Sequence, residues 1–165
     1  GNILMLVGET KNQLGGSELH ALLGMDGGEV PRPDLRTSPD LFACLHAAMQ
    51  ASLVRTCHDL SEGGLGVALA ESAMAGDLGA TIQLSYAKDL NRTSALFSES
   101  TTRFLVEVAP HQVAPFQEAL GSHLVTQLGE VQAASRLQIS DMNGDSLVDL
   151  SIDSIRDAFN GSFQG

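Results

Sequence analysis

"CHDLSEGGLGVALAESAMAG", residues 57–76, links an extended segment to a helix through two consecutive glycines. Residues 54–57 before it are suited to a short strand, and Gly76 at its end is a typical helix terminator. Small and apolar residues between these limits recur at the spacing of one helical face: Leu65, Ala68, Leu69, Ser72 and Ala73. The stretch therefore predicts a strand, a tight turn and a helix in direct succession.

Strand and helix patterns alternate along the rest of the chain. The apolar run Ile3–Val7 predicts a strand buried on both faces. Further strands are predicted over 80–84, 103–108, 123–128, 137–139 and 147–150. Further helices are predicted over 18–23 with Ser17 as cap, from Ser38 as cap to 52, over 110–120, and over 153–160 with Ile155 and Phe159 buried. About five helices mixed with these strands favour an α+β or α/β sandwich formed by one domain, residues 1–165.

Composition and charge exclude several classes of function. The chain has 20 acidic and 9 basic residues, for a net charge of −11, which disfavours nucleic-acid binding. Its apolar runs are too short for a membrane span, and Cys44 and Cys57 lack the spacing of a disulfide or redox motif. We therefore expect a cytoplasmic protein without a membrane partner. The opening residues GNILMLVG suggest a piece cut from a longer polypeptide.

The turn at 61–64 has two interpretations that the sequence leaves open. In the first, Asp59, Ser61 and Glu62 satisfy free N–H groups at the helix start, while Gly63 and Gly64 only permit the tight turn. In the second, the turn presents backbone N–H groups to an anionic ligand. The two carboxylates would repel a bare phosphate, so a cation or a sugar hydroxyl would have to share the site.

Other arrangements that could support chemistry fail on spacing. Cys57 and His58 are adjacent on a predicted strand and point to opposite faces, so the histidine cannot activate the thiol. A triad of Ser98, His58 and Asp59 lacks the G-x-S-x-G turn. We therefore predict no catalytic residue. The remaining histidines share no metal-ligand spacing, so no metal site is predicted: His20, His46, His111 and His123.

Two further polar segments have simple explanations. "DMNGDS", residues 141–146, begins like a calcium loop, but Ile152 stands where the bidentate Glu should be, so we interpret it as a hairpin turn. "ALFSESTTRFLVEV", residues 95–108, places hydroxyl groups and a carboxylate between two apolar segments. Such a loop can contact a polar ligand, although composition alone also fits an ordinary loop.

Four segments in this order and spacing resemble a known family: 8–18 (GETKNQLGGSE), 58–76, 96–108 and 151–163 (SIDSIRDAFNGSF). They are similar to the carboxy-terminal domain of phosphoribosylformylglycinamidine synthases of the small-subunit form, over nearly the whole chain. The resemblance implies an α+β fold, a three-layer α/β/α sandwich with a mixed sheet like the AIR synthase C-terminal domain.

The resemblance also implies a function for the longer protein. Such an enzyme is internally duplicated, and magnesium and ATP activate the amide oxygen of formylglycinamide ribonucleotide. Ammonia from a glutaminase subunit then displaces phosphate to give the amidine of purine biosynthesis. Its implied partners are the preceding domains of the same chain, the glutaminase and a small accessory subunit. The main nucleotide and metal ligands are expected upstream, so this chain alone should bind neither ATP nor magnesium strongly and should be inactive.

Site residues carry over from the family only in part. Glu99, Ser100 and Thr101 match a substrate-contacting motif, although Thr101 replaces the usual Gln and the preceding Ser98 the usual Gly. The segment 62–64 matches a motif that lines the cleft between domains. The expected ligand-cleft residues are therefore Asp59, Ser61, Glu62, Gly63, Gly64, Glu99, Ser100 and Thr101.

Three hypotheses about this domain remain. It supplies part of a ligand cleft, or it is a scaffold for the duplicated enzyme with no chemistry of its own, which the two departures from the motif favour. A free-standing small-molecule hydrolase is the weakest, because half a cleft cannot close over a substrate and exclude water. Taken alone, the chain could also form a homodimer through surfaces that are normally covered.

Overall fold

The apolar run near the amino terminus forms a central strand of a seven-stranded mixed sheet. The computed structural model describes residues 1–161. Its strands are β1 (Ile3–Val7), β2 (Thr56–Asp59), β3 (Gly79–Gln83), β4 (Phe104–Val108), β5 (Val125–Gln132), β6 (Arg136–Ser140) and β7 (Ser146–Ser151). They lie in the order β2-β4-β1-β5-β3-β6-β7, and every pairing is antiparallel except β3 with β6. The predicted mixed sheet is confirmed.

Residues 1–161 form six α-helices, five of them between strands and the sixth after β7. They are α1 (Glu18–Leu23), α2 (Ser38–Gln50), α3 (Gly64–Gly76), α4 (Arg92–Phe97), α5 (Val113–Leu120) and α6 (Ile152–Gly161), with a 3-10 turn over Pro110–Gln112 before α5. The sequence patterns missed α4, because six residues show little helical period and Asn91 was not recognised as a cap, whereas the Ser17 cap marked the equally short α1. The start of α4 is nevertheless capped, since the Asn91 side chain accepts a hydrogen bond from the Ser94 amide. No helix within residues 1–161 combines the length and the apolar character needed to cross a bilayer.

Alternation along the strands divides the core into two layers, one on each side of the sheet. In β1, Leu4 and Leu6 face a cluster with α3 and α4, whereas Met5 and Val7 face a cluster with α2 and α5. The first cluster also contains residues of β3 and β6, while the second is confined to the β2, β4, β1 and β5 side. Helices therefore cover both faces of the sheet, and the predicted three-layer α/β/α arrangement is confirmed.

Several local predictions are corrected. Ser38 is the first residue of α2 and not its cap, because its hydroxyl is hydrogen-bonded to Thr102 Oγ1 at 2.8 Å and Thr37 occupies the cap position. Phe159 is 42% exposed, and the buried residue of α6 is Ile152. The predicted strand over 54–57 lies two residues later, at Thr56–Asp59.

The segment after β6 is a turn, as predicted, and it is built around one buried carboxylate. Asp141 Oδ1 accepts hydrogen bonds from the amides of Asn143 at 2.9 Å and Asp145 at 3.0 Å. Arg92 Nη2 lies 2.6 Å from Asp141 Oδ2, which ties the turn to the start of α4. Burial by itself would raise the pKa of Asp141, but these two amides and the guanidinium together lower the pKa below its ordinary value.

We predict that the α5 face of the core carries much of the stability. Leu120 at the end of α5 is fully buried, so Leu120→Ala should lower the free energy of unfolding of the 165-residue chain by about 2–5 kcal/mol. Leu35→Ala is the matched control, because that side chain is 81% exposed and its loss should change stability by no more than about 0.5 kcal/mol. Urea unfolding of both variants measures the difference. Equal effects would contradict this assignment of the core.

The Asp141 turn predicts a contribution to acid sensitivity. Because the pKa of Asp141 is lowered on folding, the ionised carboxylate stabilises the chain above its unfolded pKa of about 3.9. This contribution is lost as the pH falls through the lower pKa of the folded state. Asp141→Asn should therefore be less stable at pH 7 and should lose less stability than the parent between pH 5 and pH 3. Asp157→Asn, at an exposed position of α6, should keep the parental slope in unfolding measured against pH.

Candidate functional site

The turn between β2 and α3 requires glycine at two successive positions. Gly63 and Gly64 have φ angles of 74° and 62°, a conformation that other residues adopt only with strain. A Cβ on Gly64 would also collide with the carbonyl oxygen of Ser98. The glycine pair therefore does two things. It reverses the chain between strand and helix, and it lets the turn pack directly against the backbone that precedes β4.

One carboxylate from that neighbouring backbone caps the turn. Glu99 Oε1 accepts hydrogen bonds from the amide of Gly63 and from the amide of Glu18, each at 2.9 Å. α3 has no cap from its own side chains, so the interpretation of Asp59, Ser61 and Glu62 as capping residues is wrong. A negative charge is favourable at the starts of α1 and α3, where unpaired amides concentrate positive potential. Glu99 thus joins two helices that are distant in sequence.

The hydroxyl groups on either side of Glu99 are bonded within the protein. Ser98 Oγ donates to the carbonyl oxygen of Lys11 at 2.7 Å and lies 2.9 Å from Ser100 Oγ. Ser100 Oγ in turn accepts from the Lys11 amide at 3.0 Å. Both serines are buried. Ser100, one of the expected ligand contacts, therefore fastens the 98–102 loop to the segment after β1.

The buried side chain of Arg103 also binds the 98–102 loop. The Arg103 guanidinium is fully buried, and it donates hydrogen bonds to the carbonyl oxygens of Ser98 and Ser100 and to Thr10 Oγ1. Within residues 1–161 it forms no ion pair, and burial lowers the pKa of Arg103 to about 10. This role of Arg103 was not predicted from the sequence. The available signal was an arginine at the beginning of the otherwise apolar strand RFLVEV.

Half of the expected cleft residues meet around one open cavity. Asp59, Ser61, Glu99 and Thr101 line a cleft of about 780 Å³, which we call the 59–104 cleft. Phe42 and Phe104 also line it, with their rings edge to face and 5.9 Å between centroids. The other four expected residues do not line it: Glu62 is exposed, Gly63 and Gly64 are buried in the turn, and Ser100 lines a separate cavity of about 200 Å³.

The groups that the 59–104 cleft offers to a ligand are side chains and not free backbone amides. The Gly63 amide is bonded to Glu99, and the Gly64 amide donates to the carbonyl oxygen of Ser61 at 3.1 Å. An anion at this turn would therefore have to displace the Glu99 carboxylate. The exposed Asp59 carboxylate and the hydroxyls of Ser61 and Thr101 can bind hydroxyl groups, amines or a hydrated cation.

Cys57 and His58 point to opposite faces of β2, as predicted. Cys57 packs against the core cluster of α2 and α5, and burial, reinforced by the charge of Asp59, raises the pKa of its thiol to about 11. Such a thiol is protonated at neutral pH and is a poor nucleophile. His58 lies on the other face, with Nε2 at 2.9 Å from Glu71 Oε2 of α3. The pair links the edge strand to the helix.

Comparison with known proteins agrees with this fold. The PurL subunit of phosphoribosylformylglycinamidine synthase from Alkaliphilus metalliredigens is 37% identical over 167 residues, covering 99% of this chain and 22% of that protein. This chain thus spans about a fifth of the length of that curated relative.

Solved structures share the same architecture at lower identity. T. maritima PurL complexed with FGAR superimposes with a TM-score of 0.79 at 22% identity, over 93% of this chain and 27% of that chain. E. coli HypE, a hydrogenase maturation protein, gives a TM-score of 0.65 at 19% identity over 92% of this chain and 49% of that chain. At these identities the likeness establishes the fold alone. The family described as AIR synthase related protein, C-terminal domain, matches residues 1–141, and the chain belongs to this family.

Proposed function

We propose that this chain is the C-terminal domain of a phosphoribosylformylglycinamidine synthase. The observation that carries the proposal is the 37% identity to a PurL subunit over 99% of the chain. The complete enzyme would convert formylglycinamide ribonucleotide to the amidine in purine biosynthesis, with ammonia derived from glutamine. It would act in the cytoplasm. Residues 1–165 would form a single domain of that longer polypeptide.

The domain would contribute one wall of the substrate cleft. Ser61 and Thr101 present hydroxyls, and Asp59 a carboxylate, at the open side of the 59–104 cleft. These groups suit the hydroxyl-rich ribose or the amide of the substrate better than its phosphate, because the wall has two carboxylates. Glu99 would keep this wall in position through its two amide hydrogen bonds. Phe42 and Phe104 would close the opposite side against water.

Nucleotide binding is assigned to the complete enzyme. T. maritima PurL has been solved complexed with ATP and with ADP. When bound, ATP with magnesium would supply the phosphoryl group that activates the substrate amide oxygen. The cleft fits these groups poorly by itself, because Glu99 already accepts two amide hydrogen bonds and only Asp59 adds a second carboxylate. The main nucleotide and metal ligands would come from preceding domains.

The preceding domains would also cover an exposed apolar strip. From the end of α1 to the start of α2, five large apolar side chains are more than half exposed: Leu22, Leu23, Met25, Val30 and Leu35. Exposure of this kind is typical of surfaces that pack against another domain. A glutaminase subunit and a small accessory subunit would complete the assembly, and a structure of PurLQS from Thermotoga maritima shares this fold. In the isolated chain, a homodimer could form through the same strip.

A scaffold without ligand contacts is the second candidate function. The observation in its favour is that the hydroxyls of Ser98 and Ser100 bond to Lys11, and that Glu99 bonds to two amides. Three of the motif positions would then serve the fold rather than a ligand. The ligand-cleft function and the scaffold function differ in the role that they give to the hydroxyls of Ser61 and Thr101.

The activity of the complete polypeptide tests the proposed function. The complete polypeptide that contains this chain should convert formylglycinamide ribonucleotide to its amidine with ATP and ammonia, releasing one ADP and one phosphate for each product. The 165-residue chain alone should show no turnover, because it has only one wall of the cleft. Product formation measured by mass spectrometry tests both statements. Inactivity of the well-folded complete enzyme with its glutaminase partner, or turnover by the chain alone, would contradict the proposal.

A substitution at Thr101 distinguishes the ligand-cleft function from the scaffold function. In the complete enzyme, Thr101→Val should raise KM for the ribonucleotide roughly threefold to tenfold, the effect of losing one hydrogen bond worth about 0.5–1.5 kcal/mol. Thr93→Val is the matched control, since Thr93 is exposed on α4, and it should leave KM unchanged. A KM that is equal in both variants would support the scaffold and reject the cleft.

Substitutions of Glu99 test its role as a cap. Glu99→Ala leaves the amides of Gly63 and Glu18 without their partner, so the free energy of unfolding of the chain should fall by about 1–3 kcal/mol. Glu99→Gln retains an acceptor oxygen and should lose less. Thermal and urea unfolding measure both. If Glu99→Ala matched the parent in stability, the carboxylate would not be the cap of α3.

A further inference from the structure

Three side chains of different metal-ligand type meet between α2 and the loop that follows α5. Asp40 and Cys44 lie on α2, and His123 lies between α5 and β5. Their ligand atoms, a carboxylate oxygen, the thiol sulfur and an imidazole nitrogen, all lie within 4.8 Å of one another. We call this group the 40–44–123 cluster. It is separate from the 59–104 cleft, because none of its members lines that cleft.

The arrangement follows from regular secondary structure. Residues four apart on a helix share one face, so Asp40 and Cys44 project together from α2. His123 is placed by the turn at the end of α5, where its amide donates to the carbonyl oxygen of Leu120 at 3.1 Å. Directly after it, the carbonyl oxygen of Leu124 accepts from the Gly8 amide at 2.9 Å, which fixes the loop to the end of β1.

Contacts with neighbouring groups also hold the side chains of this cluster in place. His123 Nε2 lies 2.9 Å from Asp40 Oδ2, and the imidazole is only 15% exposed. Cys44 is partly buried against the core cluster of α2 and α5. Asp40 is 75% exposed, so solvent and ions can reach the cluster from its side. The ligands are therefore held close together but not sealed off.

We propose that the 40–44–123 cluster binds a borderline transition-metal ion such as Zn²⁺. Cys, His and Asp are each zinc ligands, and three protein ligands with water in the fourth position make an open tetrahedral zinc site. With bond lengths of about 2.0–2.3 Å, tetrahedral geometry separates ligand atoms by about 3.3–3.6 Å, which small side-chain rotations reach from the present positions. On binding, Cys44 releases its thiol proton to solvent and coordinates as thiolate.

The donor set also selects against hard cations. Mg²⁺ and Ca²⁺ require several oxygen ligands, and the cluster offers one carboxylate beside a sulfur and a nitrogen. The site is therefore distinct in chemistry from any magnesium that accompanies ATP in the complete enzyme. Its structural consequence is a metal link between α2 and the entrance to β5. A ligand that binds only the folded state stabilises the chain, and its melting temperature rises with the logarithm of the free ligand concentration divided by Kd.

The test uses the 165-residue chain, reduced and stripped of metal. Titration with Co²⁺ should produce a thiolate-to-cobalt charge-transfer band with one equivalent bound, and Zn²⁺ should abolish this band by displacement. Competition with a chromophoric chelator should give a Kd for Zn²⁺ of about 1 μM or tighter, weaker than a four-ligand site. Mg²⁺ and Ca²⁺ at millimolar concentration should neither produce nor displace the signal.

Substitutions of the three proposed ligands test whether the ion binds at the 40–44–123 cluster. Cys44→Ser should abolish the charge-transfer band, and His123→Gln and Asp40→Ala should each raise Kd at least about 100-fold, beyond the 10–100-fold typical of changes outside the ligand set. Asp40→Ala alters an exposed side chain and keeps the test valid if the other variants fold poorly. His46→Gln on the exposed face of α2 and Cys57→Ser should retain parental binding. Absence of stoichiometric Co²⁺ binding, or equal binding in Asp40→Ala and His46→Gln, would overturn the proposal.

Discussion

The buried guanidinium of Arg103 organises the region on which the rest of the molecule depends. A charge removed from water is tolerated only where its donors are satisfied, and here the acceptors are two carbonyls of the 98–102 loop and the Thr10 hydroxyl. The loop is thereby held in one shape at the entrance to β4. That shape directs the Glu99 carboxylate onto the amide of Glu18, the first residue of α1, and onto the amide of Gly63, which immediately precedes α3. Strand, loop and two helix starts form a single hydrogen-bonded junction.

The same junction explains why the cleft has its present chemistry. Because Glu99 occupies the Gly63 amide and the hydroxyls of Ser98 and Ser100 face inward, these groups serve the fold. What remains at the open side is a sparse set of side chains, principally Ser61 and Thr101, beside the Phe42–Phe104 pair. A wall of this kind suits a domain that completes a site formed largely elsewhere. Ser98 takes part in this internal bonding, whereas Thr101 lines the cleft.

The central strands were predictable because burial on both faces selects short apolar runs. In Ile3–Val7 and Phe104–Val108 alternate residues face different core clusters, so apolar side chains are required on both sides of the sheet. Helix α6 was predicted less well, because Phe159 fits the apolar period but is 42% exposed. Helix α4 was missed because its six residues show little period and its Asn91 cap was not recognised.

The amino-acid sequence alone determined the elements other than α4, the glycine turn, the exclusion of a Cys57 nucleophile and the family resemblance, since each rests on neighbours within a few residues or on ordered motifs. Only the tertiary structure decided which side chain caps α3, that Ser100 is internal, and that Asp40, Cys44 and His123 meet. These contacts join residues from 36 to more than 80 positions apart. Local propensities carry no information about such distances, because the contacts exist only after the sheet has brought separate loops to one edge.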